Sequence, residues 1–194
     1  MPRDSTATRT RIYAAAYALF YRRGFQRTSL DDIAAKAGVT KRTLYYHVRS
    51  KDELAGAMLS HQHAFVLEQM TRWIGPAGEK TSARTLVDRL FDSMARWAER
   101  GLAGKERWTG GGFTRMALEL ADLPGHPARG ATRRHKAGVE AALAQRLAAC
   151  GAARAPELAA QIQMLIEGAM VLMLIHGDVR YARLASAAAR KLVP

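Results

Sequence analysis

Cysteine is nearly missing from this 194-residue chain: Cys150 is the only one, so no internal disulfide can form. That excludes a small secreted module held by cystine staples and points to a reducing compartment, the cytoplasm. Proline is almost as scarce, at six, whereas alanine fills 37 positions. Proline breaks helices and alanine forms them best, so the balance favours helix and excludes an all-β sandwich. Long apolar runs are also absent. The run Gly168 to Ile175 is eight residues, far below the roughly 18 that read as a membrane span. By this run-length measure no segment crosses a membrane. Arg9 and Arg11 ahead of Ile12–Tyr21 resemble the front of a secretory leader, but Arg22 and Arg23 stand where a small-residue cleavage site belongs.

Acidic residues are in deficit, 17 against 30 Lys and Arg, for a net charge of +13. Residues 1–60 hold 11 basic and 5 acidic side chains and residues 61–194 hold 19 and 12, so the N-terminal third is about twice as basic per residue. A basic surface attracts polyanions, either nucleic acid or an anionic membrane. Catalytic signatures are lacking too. There is no Gly-x-Ser-x-Gly, no His-Glu-x-x-His and no Gly-Lys-Ser/Thr phosphate loop. The run Gly110–Gly112 has no strand before it, and Cys150 has no evident base beside it. An enzyme is not expected, nor a cofactor. The histidines are scattered: His61 and His63 fall on different helix faces, and a metal held by His126, His135 and His176 with Glu119 or Glu167 is not expected either.

What is present is helical periodicity. Ile12, Ala15, Ala16, Leu19 and Phe20 fall on one face of a helix that Gly24 ends. Ser29 and Asp32 have capping-box spacing ahead of Leu30, Ile33, Ala34 and Ala37. Gly38 breaks that helix, and Thr40 caps a third with Leu44 and Val48 buried. Ser50–Glu53 opens a fourth helix reaching Trp73. Gly75-Pro76 stops it, and Thr81-Ser82 starts a fifth carrying Leu86, Leu90, Phe91, Met94 and Trp97, broken by Gly101–Gly104. Then come Phe113–Ala121, Ala128–Ala149, Glu157–His176 and Val179–Leu192. The expectation is an all-α protein of about nine helices, with no strand and no repeat.

Ala34, Gly38 and Leu44 have the spacing of a helix–turn–helix. The small Ala34 allows a steep crossing, Gly38 allows the sharp turn, and Leu44 buries the second helix against the first. On the other face of the third helix lie Lys41, Arg42, Thr43, Tyr45, Tyr46 and His47, without an acid among them. Hydrogen-bond donors and flat rings on such a helix suit the major groove of double-stranded DNA. Lys41 and Arg42 can reach guanine edges and Thr43 a thymine methyl. The hydroxyls of Tyr45, Thr28 and Ser29 can donate to phosphates, and Lys51 can pair with one. The plain alternative is a solvated basic face.

The stretch from Gly24-Phe25 through Thr28-Ser29, Ile33-Ala34, Ala37-Gly38-Val39, Leu44-Tyr45-Tyr46-His47 and Ser50-Lys51 to Leu54 resembles the N-terminal signature of TetR-family (TetR/AcrR-like) transcriptional regulators. The likeness covers about residues 9 to 58. Arg42 stands where many members have glycine, and Val48 where most have phenylalanine. The resemblance implies an all-helical homodimer and a repressor released by a small molecule. Residues 1–50 would bind DNA, and residues 51–194 would sense the ligand and dimerise. By position Lys41, Arg42, Thr43 and Tyr46 would face bases, and Thr28, Tyr45, His47 and Lys51 phosphates.

The second half is less specific. Glu119-Leu120-Ala121-Asp122, His126-Pro127 and Glu167-Gly168-Ala169 resemble one common C-terminal subtype of that family. Aromatic and methionine side chains gather there, and ligand pockets are mostly apolar. Phe91, Met94, Trp97, Trp108, Phe113, Met116, Met170 and Met173 are candidates to touch an apolar or amphipathic effector, the plain alternative being core. The segment 157–176 is apolar nearly all round and needs cover on more than one side. A second copy of the chain, docking there and along 128–149, would supply it.

Overall fold

A computed structural model describes residues 5–76, 78–104 and 108–193. Among the described residues there are nine α-helices and no strand. They are α1 (Ser5–Arg23), α2 (Leu30–Ala37), α3 (Lys41–His47), α4 (Lys51–Ile74), α5 (Ala83–Ala103), α6 (Gly112–Glu119), α7 (Pro127–Ala149), α8 (Ala155–His176) and α9 (Arg180–Leu192). The all-α reading holds.

The chain divides into two compact units, Met1–Ala64 with Gly112–His135, and Phe65–Gly111 with Lys136–Pro194. In the first, α1 packs on α2 and α6, and α2 packs on α3. Its interior holds Ile12, Ala16, Phe20, Ile33, Ala34, Leu44, Leu54 and Met58, all buried. The capping box of α2 forms in full: Ser29 Oγ accepts the Asp32 N–H, and the Asp32 carboxylate accepts the Ser29 N–H. Gly38 ends α2 at φ 65° and ψ 39°, a left-handed conformation that lets its N–H and that of Val39 reach back to Ala35 and Ala34. Thr40 then caps α3 by accepting the Thr43 N–H.

In the second unit α9 packs on both α5 and α8 around Leu86, Leu90, Phe91, Met94, Ile162, Ile166 and Met173. Polar ties close its edges. Ser186 Oγ donates to Asp88, and Lys136 of α7 pairs with Glu167 of α8.

Two details depart from the sequence reading. First, Gly101 does not break the fifth helix, since α5 continues to Ala103. The Trp108 side chain lies over Gly101, where a Cβ would come within 2.7 Å of it, so the glycine provides room rather than a stop. Second, the run-length measure missed α8. An 18-residue window of this 22-residue helix has a mean hydropathy of 1.8, and among the described residues it is the one helix long and apolar enough to cross a membrane by length and composition alone. Polar residues such as Gln161, Gln163 and Glu167 interrupt the runs without lowering the average enough. One face, with Ala159, Ile162, Ile166, Ala169 and Met173, is buried within the unit. Met164, Val171, Leu172 and Ile175 are exposed.

Candidate nucleic-acid interface

Seven residues of α3 carry the site, and the caps at its ends set their directions. Leu44 is fully buried and Val48, just beyond the last turn, nearly so, which turns the remaining side chains outward. Tyr46 is 84% exposed and Tyr45 55%, high values for large rings in a folded chain. The Tyr46 ring meets that of His47 edge-on at 5.3 Å. Lys41 and Arg42 are exposed, and Thr43 and His47 half-buried. Thr43 shares a hydroxyl–hydroxyl hydrogen bond of 2.8 Å with Thr40, so its side chain is braced at the helix start.

Three of the sequence-derived roles change on contact with the geometry. The Thr28 side chain is not offered to solvent: the residue is 1% exposed, and its hydroxyl donates to the Gly24 carbonyl at 2.8 Å. Donation from that hydroxyl to a phosphate is therefore corrected to an internal brace of the turn before α2. Ser29 is exposed, but its hydroxyl donates to Asp32 Oδ2 at 2.7 Å. Lys51 Nζ donates to the Phe25 carbonyl at 3.1 Å and lies 4.3 Å from the centroid of the Phe25 ring, so this ammonium holds the turn as well as facing outward.

No residue of α3 is acidic, yet an acid reaches its face from α2. Asp31 Oδ2 lies 2.6 Å from Lys41 Nζ. The hydrogen bond to Asp31, and then its charge, raise the Lys41 ammonium above its ordinary value. Asp32 shifts the other way, held below the usual carboxylate range by hydrogen bonds from Ser29 and by Arg23 at 3.9 Å. Glu119 of α6 was also unassigned. It accepts the backbone N–H groups of Phe25 and Gln26 at 2.9 and 2.8 Å. Neither partnership has a fixed sequence spacing, so periodicity alone does not find them.

The candidate effector contacts do not fall together. Phe91, Met94, Trp108 and Met173 belong to the buried core of the second unit, with Trp97 and Met170 packed against it. Trp97 meets Trp108 edge-on at 5.3 Å and Trp73 at 6.2 Å. Phe113 and Met116 lie in the first unit. Phe113 stacks on His135 at 3.8 Å, and Met116 lines a void of about 10 Å³ with Tyr17, Tyr21, Arg115 and Glu119. Burial pushes the Tyr17 phenol up to about 12, with the neighbouring Tyr21 adding to the rise.

The histidines pair differently from the grouping weighed in the sequence. His63 Nδ1 faces His135 Nδ1 at 3.1 Å. His126 Nδ1 accepts the Ala128 N–H, which places its proton on Nε2, 3.4 Å from Asp52. Among the described residues no three or more His, Cys, Asp or Glu side chains converge as metal ligands would.

A capped helix–turn–helix presenting a basic, aromatic helix, followed by a helical bundle, defines the class of helix–turn–helix transcriptional regulators. Comparison with known proteins narrows the class. Residues 12–58 match the profile of bacterial regulatory proteins of the TetR family. Residues 87–188, more than half of the chain, match that of the LmrA/YxaF-like transcriptional regulator C-terminal domain. The chain belongs to the TetR family, and membership places it among regulators rather than enzymes.

Among curated relatives, the HTH-type transcriptional regulator TtgR of Pseudomonas putida is 45% identical over 96 residues, 47% of this chain and 44% of TtgR. The HTH-type transcriptional repressor Rv3405c of Mycobacterium tuberculosis is 39% identical over 102 residues, 53% of this chain and 50% of that one. The matched stretches thus span half or less of those relatives. A TetR-type regulator from Streptomyces avermitilis has a crystal structure that aligns with a TM-score of 0.76 at 27% identity, over 94% of this chain and 97% of that one. Another, from Chloroflexus aurantiacus, gives 0.78 at 26%, over 97% and 95%.

Proposed function

We propose that this chain is a homodimeric repressor that binds a palindromic operator in double-stranded DNA and lets go when a small apolar or amphipathic effector enters its second half. The exposed face of α3, which carries cations and aromatic rings and no acid of its own, is the observation that carries the DNA-binding reading. Tyr46 and Tyr45 stand in solvent with Lys41 and Arg42 beside them. Large rings left outside a core signal a surface meant to be covered, and DNA covers rings and cations together. Arg42 and Lys41 read base edges, with Thr43 and Tyr46 beside them. Tyr45, His47 and Lys51 hold phosphates.

The division of labour runs near residue 50. Residues 1–50 bind DNA, and 51–194 sense and dimerise. The exposed apolar face of α8 supports a partner copy there and along α7. That cover suits a cytoplasmic, DNA-bound regulator better than a lipid bilayer does. Paired recognition helices would then meet half-sites about 34–36 Å apart, or a multiple of that. Because α4 continues from α3's unit into the second, as α7 also does, and follows α3 directly in the chain, it is an element through which an effector would change recognition-helix separation. Driving such an equilibrium from 99:1 to 1:99 takes about 5.5 kcal/mol of differential effector affinity.

Selection from a random duplex pool at physiological salt tests the reading. Enrichment of a two-fold palindrome by the dimer supports it. A folded dimer that enriches nothing, with and without added effector candidates, removes it.

A further inference from the structure

Arg146 occupies a position in α7 that periodicity reserves for an apolar side chain. Val139, Leu143, Arg146 and Leu147 follow one another at i, i+4, i+7 and i+8, on one helix face. Val139, Leu143 and Leu147 belong to the buried core of the second unit. Arg146 is as buried as they are, at 4% exposure. Yet among the described residues Nε, Nη1 and Nη2 of its guanidinium all lack a hydrogen-bond partner. The contrast with Lys136 on the same helix is informative, because that ammonium pairs with Glu167.

Among the described residues the same unit buries three more side-chain polar atoms without hydrogen-bond partners, the Trp108 indole Nε1, the Gln163 amide oxygen and Oε2 of Glu79, whose other carboxylate oxygen accepts from Arg89. Native interiors leave few such groups, and each calls for an explanation. A guanidinium stays protonated at any physiological pH. An unpaired buried cation is among the costliest features a core can carry, and cores that keep one supply an anion.

We propose that Arg146 is the anchor of the effector site and that the effector is an amphipathic carboxylate, an apolar body carrying one acid group. This inference rests on the reading of the second half as a sensor and names its ligand class. The planar fork of the guanidinium matches a carboxylate in two parallel hydrogen bonds. The core cluster that shares Arg146's helix face, with Phe91, Met94 and Trp108 among its members, suits the apolar body. A carboxylate also has a second possible source, an Asp or Glu of a second copy of the chain, and the experiment separates the two.

The full chain is titrated with sodium hexanoate, octanoate, decanoate and 1-naphthoate, and with the matching neutral alcohols. Tryptophan fluorescence, thermal unfolding and sedimentation are followed together. Wild type should bind at least one acid of the series roughly ten- to a hundredfold more tightly than its alcohol, the size expected of a charge-assisted hydrogen bond. Arg146→Met should unfold at a higher temperature than wild type without ligand and should bind acid and alcohol equally. Arg146→Lys should keep part of the preference.

The proposal is overturned if no acid binds, if acid and alcohol bind wild type alike, or if Arg146→Met keeps the preference. Loss of the dimer in Arg146→Met would assign the anion to the second copy and equally overturn it. Release from the selected operator is read in parallel. If alcohols release DNA and acids do not bind, the sensor reading survives and the Arg146 site falls. If acids bind through Arg146 and DNA binding is unchanged, the site survives and the sensor reading falls.

Discussion

The carboxylate of Glu119 holds the backbone N–H of Phe25 at 2.9 Å, and its other oxygen holds that of Gln26 at 2.8 Å. A side chain at the end of α6 thus fastens the turn between α1 and α2, 94 residues earlier in the chain. The fit is close, since a Cβ at Gly24 would lie 2.9 Å from either oxygen. Hydrogen bonds to a charged acceptor contribute about 1.5–3 kcal/mol, so Glu119→Ala should destabilise the first unit by about that much. Glu119→Gln, which keeps one acceptor, should cost less. Amide hydrogen exchange at Phe25 and Gln26 is the direct readout. Unchanged exchange rates in Glu119→Ala would falsify the assignment.

Asp31 and Lys41 set up the opposite situation, a contact that DNA must compete with. At 2.6 Å the pair keeps one ammonium of α3 on a neighbouring acid, and both groups are exposed. Exposed pairs contribute little to stability, typically 0–1 kcal/mol. Asp31→Asn should therefore leave the melting temperature nearly unchanged while tightening binding to DNA of any sequence. The slope of log K against log salt should steepen by up to about one unit as Lys41 becomes free for a phosphate. Weaker binding by Asp31→Asn at all salt concentrations would mean that the acid orients Lys41 rather than withholding it.

Arg42 and Lys51 should separate base reading from backbone holding. Arg42→Ala should cost about 1–3 kcal/mol on the preferred operator and relax the preference at one base pair. Lys51→Ala should weaken every sequence alike and lower the salt slope by about one unit. Because Lys51 also donates to the Phe25 carbonyl and sits against that ring, its loss should lower stability too, which Arg42→Ala should not do. Equal, sequence-blind losses from both variants, measured by competition binding on operator and scrambled duplexes, would remove Arg42 from the bases.

How much of this was legible in the sequence depends on the distance between partners. The caps at Ser29 and Thr40, the left-handed Gly38 and the buried Leu44 are local features. Each is dictated by residues within about one turn, and each forms as periodicity and capping rules require. The Asp31–Lys41 pair crosses ten residues, Lys51 to Phe25 crosses 26, and Glu119 to Phe25 crosses 94. No pattern in the chain encodes those approaches. Thr28 shows the limit from the other side. Its type and position suit a phosphate contact, but only the folded turn reveals that its hydroxyl is already spent on Gly24. Arg146 was visible as a basic residue at a core spacing, but a cation at such a spacing ordinarily extends to the surface, and only its burial makes it unusual.

The Ser29–Asp32 box links the recognition motif to acid. Asp32 is held below its ordinary value of 3.8 first by the Ser29 hydroxyl, then by the Ser29 N–H, with Arg23 adding to both. Because the folded-state value lies below the unfolded one, folding is favoured by the ionised form. That contribution is complete above the ordinary carboxylate value and is lost as pH falls through the lowered one. Ser29→Ala removes the largest cause of the shift along with the cap. It should cost about 0.5–2 kcal/mol at neutral pH, the usual range for losing a serine N-cap. It should also bring the Asp32 titration back toward 3.8, so the part of the stability loss on acidification that Asp32 contributes should shrink relative to wild type. Following the Asp32 carboxyl by NMR in both chains decides the point. Coincident titration curves would show that the hydroxyl does not set the carboxylate's affinity for its proton, and that the capping bond contributes to α2 through geometry alone.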